Sequence, residues 1–226
     1  MEAILSKIKV EVNPNLYQKE PFSSDLGTSI VKEGSKLIQE LGMENFTFKK
    51  LSIQIGSTEA AIYRYFDNKH KLLLYLTAWY WGWMEHNLVY STANLKDPAE
   101  RLSMAIRLLS EGPVFTKNEY LNPSILRDIV VNESLKGFLT KEVDVENEIG
   151  IFAQVYKFGE RIANIIQEIN PSYKYPKTLV YTVLESSLLQ SFNSQHLPGM
   201  TENGLGAASR FQFFHQLVVN TIQNGN

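Results

Sequence analysis

Between Thr47 and Lys69 the sequence sets two short helical patterns around one glycine, and that arrangement constrains the fold more than any other feature. The run reads Phe46-Thr47-Phe48-Lys49-Lys50-Leu51-Ser52-Ile53-Gln54-Ile55-Gly56-Ser57-Thr58-Glu59-Ala60-Ala61-Ile62-Tyr63-Arg64-Tyr65-Phe66-Asp67-Asn68-Lys69. Thr47 carries a hydroxyl suited to capping a helix start. Leu51 and Ile55 then fall on one face, and Gly56 stops the run. A second helix is predicted from Ser57 or Thr58 to Phe66, with Ile62 and Phe66 facing inward. Two short helices joined through a tight glycine turn cross steeply, which is helix-turn-helix geometry. The second then projects from the body and fits a major groove about 12 Å wide. Its first turn, Thr58-Glu59-Ala60-Ala61, has short side chains at two positions, so it can approach base edges closely. An alanine methyl there can meet a thymine methyl.

The rest of the chain also reads as helix. Ile30, Val31, Gly34, Leu37, Ile38 and Leu41 recur at three and four residues from about Ser24, and Gly42 ends that run. Asp67-Asn68 caps a long helix from Lys69 toward residue 90. Further helices are predicted over about 98–109, 123–139, 145–169, 177–193 and 206–223, punctuated by Gly112-Pro113, Asn170-Pro171 and Leu197-Pro198-Gly199. Residues 4–12 alternate as a short strand does, but no second alternating segment is long enough to pair with them. The expected fold class is therefore all-α. It comprises an N-terminal arm (1–22), a three-helix helix-turn-helix domain (23–75), and a C-terminal helical bundle (76–226) for effector binding and dimerisation.

Composition narrows the chemistry. Cysteine is absent, which excludes disulfide staples, thiolate metal sites and a cysteine nucleophile. The four histidines are scattered without ligand spacing, so no metal site is expected. No catalytic residue, cofactor or enzyme motif rises above background; Gly204-Leu205-Gly206-Ala207-Ala208-Ser209 follows no strand and reads as a helix-start loop. No apolar run suits a signal peptide or a membrane span, so a cytoplasmic protein is expected. Net charge is −2. Yet Lys49, Lys50, Arg64, Lys69 and Lys71 face only Glu59 and Asp67 within 47–71, a local excess of positive charge in an otherwise acidic protein. Lys69 stands in the first turn of a helix, where a cation opposes the macrodipole. Phosphate at that helix end would reverse the sign; a side chain pointing into water is the alternative.

These residues carry a resemblance. Thr47, Leu51-Ser52, Gly56, Thr58, Ile62-Tyr63, Tyr65-Phe66, Lys69 and Leu72-Leu73 resemble the DNA-binding domain of the tetracycline-repressor (TetR) family, over roughly 50 residues counted from Leu26. The resemblance implies phosphate contacts at Thr47, Tyr63, Tyr65 and Lys69, and it counts Thr58, the polar cap of the reading helix, among the DNA-binding residues. It implies base reading at Glu59, Ala60 and Ala61, a base or phosphate contact at Lys49, and a backbone or groove-edge contact at Arg64. Packing is the other reading for Tyr63 and Tyr65. Phe48 stands where a small polar residue is common, and Ser57 replaces a usual valine.

For the C-terminal part the resemblance implies a pocket lined by Trp83 and Asn87 with Phe152 and Tyr156 opposite; plain core packing is the other reading. The long helix carries Trp79-Tyr80-Trp81-Gly82-Trp83-Met84, aromatic on every side, and is expected to be buried nearly all round. Val180, Val183, Leu184, Ser187 and Leu188 form one stripe, and Phe211, Phe214, Val218 and Ile222 another, with Phe213 and Leu217 off it. Two apolar stripes on the last helix imply two partners, one of them the same helix pair of a second subunit. The expected protein is a homodimer that binds double-stranded DNA at a near-palindromic operator. It acts as a repressor released by an unidentified, largely apolar small-molecule effector, with no membrane partner. The alternative is a helical small-molecule-binding protein with a vestigial head.

Overall fold

The computed structural model describes residues 6–202 and 206–224. Ten α-helices are present among these residues: α1 (Asp25–Asn45), α2 (Phe48–Gln54), α3 (Glu59–Tyr63), α4 (Lys69–Thr92), α5 (Pro98–Glu111), α6 (Pro123–Phe138), α7 (Val143–Glu148), α8 (Ala153–Ile169), α9 (Pro176–His196) and α10 (Ala207–Asn224). No strand is present among the described residues. The fold is all-α, and the starts of five of the helices follow from local chemistry. Ser24, Thr47, Thr58, Asp97 and Asn122 each turn a side-chain oxygen onto an amide of the first turn. Those amides have no partner inside the helix, so each cap removes an exposed or buried orphan donor.

The helices form two compact units. The first comprises Met1–Trp83 with Phe115–Gln154, the second Met84–Val114 with Val155–Asn226. The segmentation expected at residues 75 and 76 falls inside α4, which runs unbroken from Lys69 to Thr92. Within the first unit, α1 packs on α2 and α6, and α2 packs on α3. Ile30, Val31, Ile38, Leu51, Ile62, Phe66, Leu72 and Leu73 are buried there. From Leu72 through Glu85 every residue of α4 is buried, as the all-round aromatic pattern predicts. Trp79 and Trp83 stack one turn apart, centroids 5.9 Å.

Three expectations change. The alternating stretch at 4–12 is no strand; its first two residues lie outside the described region, 6–7 form a turn, and 8–12 have no regular secondary structure. Val10 turns inward while Lys9 and Glu11 turn out, so the alternation records one wall to lean on. The single helix expected over 145–169 is two, α7 and α8, because Gly150 adopts φ +76. That conformation suits glycine alone and ends a helix. Finally, α3 closes at Tyr63. The amides of Tyr65 and Phe66 both turn back onto the Ile62 carbonyl, a tightened last turn.

The second unit is built by α5, α8, α9 and α10. Leu102, Ile106 and Leu109 of α5 meet Ile162 and Ile166 of α8, Val180 and Val183 of α9, and Val218 of α10. Among the described residues, no helix is long and apolar enough to cross a membrane.

Candidate nucleic-acid interface

The helix pair α2–α3 is assembled by three local devices. Thr47 Oγ1 accepts from the Lys50 amide at 3.2 Å, and Thr58 Oγ1 accepts from the Ala61 amide at 3.2 Å. Between them Gly56 holds φ +62, with open space where a Cβ would stand. Its requirement is therefore conformational rather than steric. Phe48, the departure from the family pattern, is buried as a plug, edge-on to Phe46 at 6.2 Å and to Tyr63 at 5.1 Å. Packing of that kind fixes the angle between α2 and α3.

The expected contact residues divide by exposure. Thr47, Lys49, Thr58, Glu59, Ala60, Tyr63 and Arg64 all lie on the surface. Tyr63 is 50% exposed although its ring leans on Phe48. Ala61 is 6% exposed, turned inward beside Ile62. Of the two short side chains expected to meet bases, only Ala60 faces out. Glu59 sits in the first turn of α3, where its carboxylate complements the helix dipole.

Two other expected contacts are engaged inside the protein. Tyr65 is 4% exposed, and its hydroxyl lies 2.7 Å from Ser24 Oγ. The Ser24 hydroxyl beside it holds the Tyr65 phenol below its ordinary pKa, against the opposing effect of burial. Lys69 Nζ donates to the carbonyls of Met43, at 2.5 Å, and Phe46, at 3.2 Å. Those carbonyls belong to the end of α1, the negative pole of its dipole. The cation that opposes the start of α4 is thus placed on the finish of α1. Its location follows from this cap in the free protein, without any phosphate.

Lys71 and His70, which follow, both reach the buried carboxylate of Glu146 on α7, at 3.4 and 3.1 Å. Asp67 accepts from the Gln18 side chain. Of the five cations in this segment, Lys49, Lys50 and Arg64 remain on the exposed face. Lys50, counted in the local positive excess but not among the expected contacts, follows Lys49 and donates to the Asn45 carbonyl at 2.8 Å. Lys19 was also missed. It rides over the Tyr65 ring at 5.4 Å, a placement no local spacing announces.

The expected pocket residues are placed as follows. Trp83 is fully buried, its indole N–H donating to the Phe115 carbonyl at 2.9 Å, and Phe152 packs on Phe138 at 5.2 Å; both belong to the first unit. Asn87 is buried and Tyr156 half-exposed in the second. The second unit also holds an open polar cleft of about 380 Å³ lined by Thr92, Arg101, Lys157, Arg161, Asn164 and Glu168, among others. None of the four expected residues lines it. Arg161 reaches from there to Glu85, which is buried.

On the last two helices, Val180, Val183, Leu184, Ser187, Phe214, Val218 and Ile222 are buried within the single chain. Ser187 Oγ donates at 2.9 Å to Leu109 O or Leu184 O. Leu188 and Phe211 are partly exposed, and the Arg107 guanidinium covers the Phe211 ring at 4.3 Å. Seven of the nine residues expected to meet a second subunit thus pack within the chain itself. The apolar side chains left outside are Leu189, Phe213 and Leu217, with Phe213 57% exposed.

An all-α chain with a capped helix–glycine–helix pair presenting cations is a helix-turn-helix protein by architecture. Residues 30–76 match the model of the bacterial regulatory proteins of the tetR family. No curated protein sequence matches the chain. Among solved structures, AibR in complex with isovaleryl coenzyme A and operator DNA is similar at a TM-score of 0.58 and 17% identity, over 88% of this chain and 97% of that one. The superantigen PfiT is similar at 0.56 and 15%, over 88% and 97%. PfmR, a TetR-family transcriptional regulator from Thermus thermophilus, is similar at 0.50 and 15%, over 87% and 95%. At such identities the likeness of structures speaks for the fold. The match over the head covers residues 30–76, so the likeness to the tetR family's model is one of the DNA-binding head.

Proposed function

We propose that this protein is a dimeric, ligand-responsive transcriptional regulator, acting as a repressor, whose α3 enters the major groove of a near-palindromic operator. The observation that carries this reading is the outward face of the helix pair. Glu59, Ala60, Tyr63 and Arg64 of α3 and the following turn stand exposed beside Lys49 of α2. In this reading Glu59 accepts from a cytosine amino group and Ala60 meets a thymine methyl. Lys49, Arg64, Thr47 and Tyr63 hold the phosphates and set the register. Tyr65 and Lys69 serve this arrangement from behind by fixing α1 against the turn before α4.

The dimer in this reading is closed by the outer stripe, Leu189, Phe213 and Leu217. A two-fold pair of heads calls for half-sites about one helical turn apart or a multiple. AibR, which shares the fold, was solved with an acyl coenzyme A and operator DNA together, and that supports a regulator with a small-molecule effector here. The effector acts by binding the DNA-incompetent state more tightly, by about 3 kcal/mol for a hundredfold loss of operator affinity.

The second reading, a small-molecule-binding protein with a vestigial head, draws on the internal engagement of Tyr65 and Lys69. A gel shift with the DNA upstream of the protein's own gene separates the two. Regulation predicts a retained complex at low salt that weakens in Arg64→Ala; no retained DNA leaves the vestigial head.

A further inference from the structure

The arm ahead of α1 is bound along its length, and it ends on the reading helix. Its early residues grip one segment of the first unit. The Ser6 carbonyl accepts from the Glu119 amide at 2.8 Å, and the Ile8 carbonyl from Asn118 Nδ2 at 2.8 Å. The Glu11 carbonyl accepts from Gln154 Nε2 at 2.6 Å, and Asn13 Nδ2 donates to the Ile149 carbonyl at 2.8 Å. Val10 and Leu16 are buried. Val10 occupies the place a side chain would take on Gly82, where a Cβ would stand 2.3 Å from its Cγ1. A glycine in mid-helix costs helix propensity, and here its bareness is what lets the arm lie down.

The far end of the arm meets the close of the recognition helix. The Gln18 amide donates to the Tyr65 carbonyl at 2.8 Å. That carbonyl lies just beyond α3, in the turn that has no helical partner to offer it. The Gln18 side chain donates to both Asp67 carboxylate oxygens, at 2.9 and 3.1 Å. One residue thus holds both the exit of α3 and the turn into α4. Lys19 covers the Tyr65 ring, and Phe22 packs edge-on to Tyr120 at 4.9 Å.

We infer that residues 6–20 are a positioning strap, with Gln18 as its buckle. The strap ties the exit of the recognition helix to the segment 115–154 and sets the angle at which α3 is presented. A helix of five residues has few bonds of its own with which to hold an orientation. A strap fixed at both ends supplies the restraint, and it gives any shift of segment 115–154 a direct mechanical line to α3. The consequence for DNA rests on the regulator reading above; the mechanical claim stands apart from it.

The test uses the full chain and three variants. Gly82→Ala dislodges Val10 while favouring the α4 helix. Gln18→Ala removes an exposed side chain that touches no core. Lys19→Ala asks whether the arm works by touching DNA. The strap predicts that amide exchange over residues 59–66 quickens about tenfold in Gly82→Ala and about fivefold in Gln18→Ala, the scale of one or two lost hydrogen bonds. Operator affinity should fall by similar factors with its salt dependence unchanged, since no phosphate contact is lost. Unchanged exchange in Gln18→Ala overturns the strap, whether or not Gly82→Ala remains folded. A loss confined to Lys19→Ala, with the salt slope reduced by about one, also overturns it in favour of direct contact. If the unaltered protein retains no DNA, the regulator reading fails while exchange still decides the strap.

Discussion

The head and the last two helices present the same kind of sequence signal and use it differently. In the head, Thr47, Gly56 and Thr58 each act on neighbours within three residues, so spacing and structure agree position by position. On α9 and α10 the apolar periodicity is just as clear, but it describes two faces without saying which partner each face meets. The regular stripe through Phe214, Val218 and Ile222 fills the chain's own interior, and the sparse one through Phe213 and Leu217 stays outside. Local devices can be read locally. Which of two greasy faces goes inside is settled by all the helices at once.

The contrast between Phe213 and Phe214 is open to direct attack, and the largest effects are expected there. Phe214→Ala empties a fully buried site and should cost about 3–5 kcal/mol, read by urea unfolding. Phe213→Asp should leave the unfolding midpoint of the isolated subunit nearly unmoved, while light scattering shows the dimer split and operator affinity falls at least a hundredfold. A protein that stays dimeric in Phe213→Asp removes the outer stripe as the interface.

Next comes Lys69. Replacement by Met keeps the aliphatic stem and deletes the ammonium, stranding the Met43 and Phe46 carbonyls; a loss of about 1–3 kcal/mol is expected in urea titrations. If stability holds but the salt slope of DNA binding drops, Lys69 works on phosphate instead. Arg64→Ala follows, with an operator affinity about tenfold lower and stability unchanged, measured by fluorescence anisotropy.

The smallest effect concerns His86. Burial, and then Lys157, hold its pKa below the ordinary value, with Glu85 pulling the other way. The unfolded chain therefore takes up the proton first as pH falls below about 6.5. Stability should decline through that range and level off only once the folded imidazole is protonated. In His86→Gln the decline should be shallower in chemical unfolding between pH 7.5 and 5.5.

How much was legible follows the same division. The caps, Gly56, the all-round burial of α4 and the break at Gly112 could be read because each depends on residues close in sequence. The inward turn of Ala61 was also within reach, since Ala61, Ile62 and Tyr65 share one helical face. Gly150 was harder: a glycine in a helical pattern does not declare that it will take φ +76. The partners of Tyr65 and Lys69 lie at Ser24, Met43 and Phe46, more than twenty residues upstream, and no periodicity connects them. The bare alternation of the arm likewise resembles a strand until the wall it leans on is known.

The most direct test of the groove-entering helix pair is the affinity for the chain's own upstream DNA as a function of salt, with Arg64→Ala alongside. A complex that forms at low salt, weakens steeply as salt rises, and in the variant shows a slope shallower by about one unit is the predicted result. Absence of any retained DNA at low salt, or identical curves for the two proteins, contradicts it.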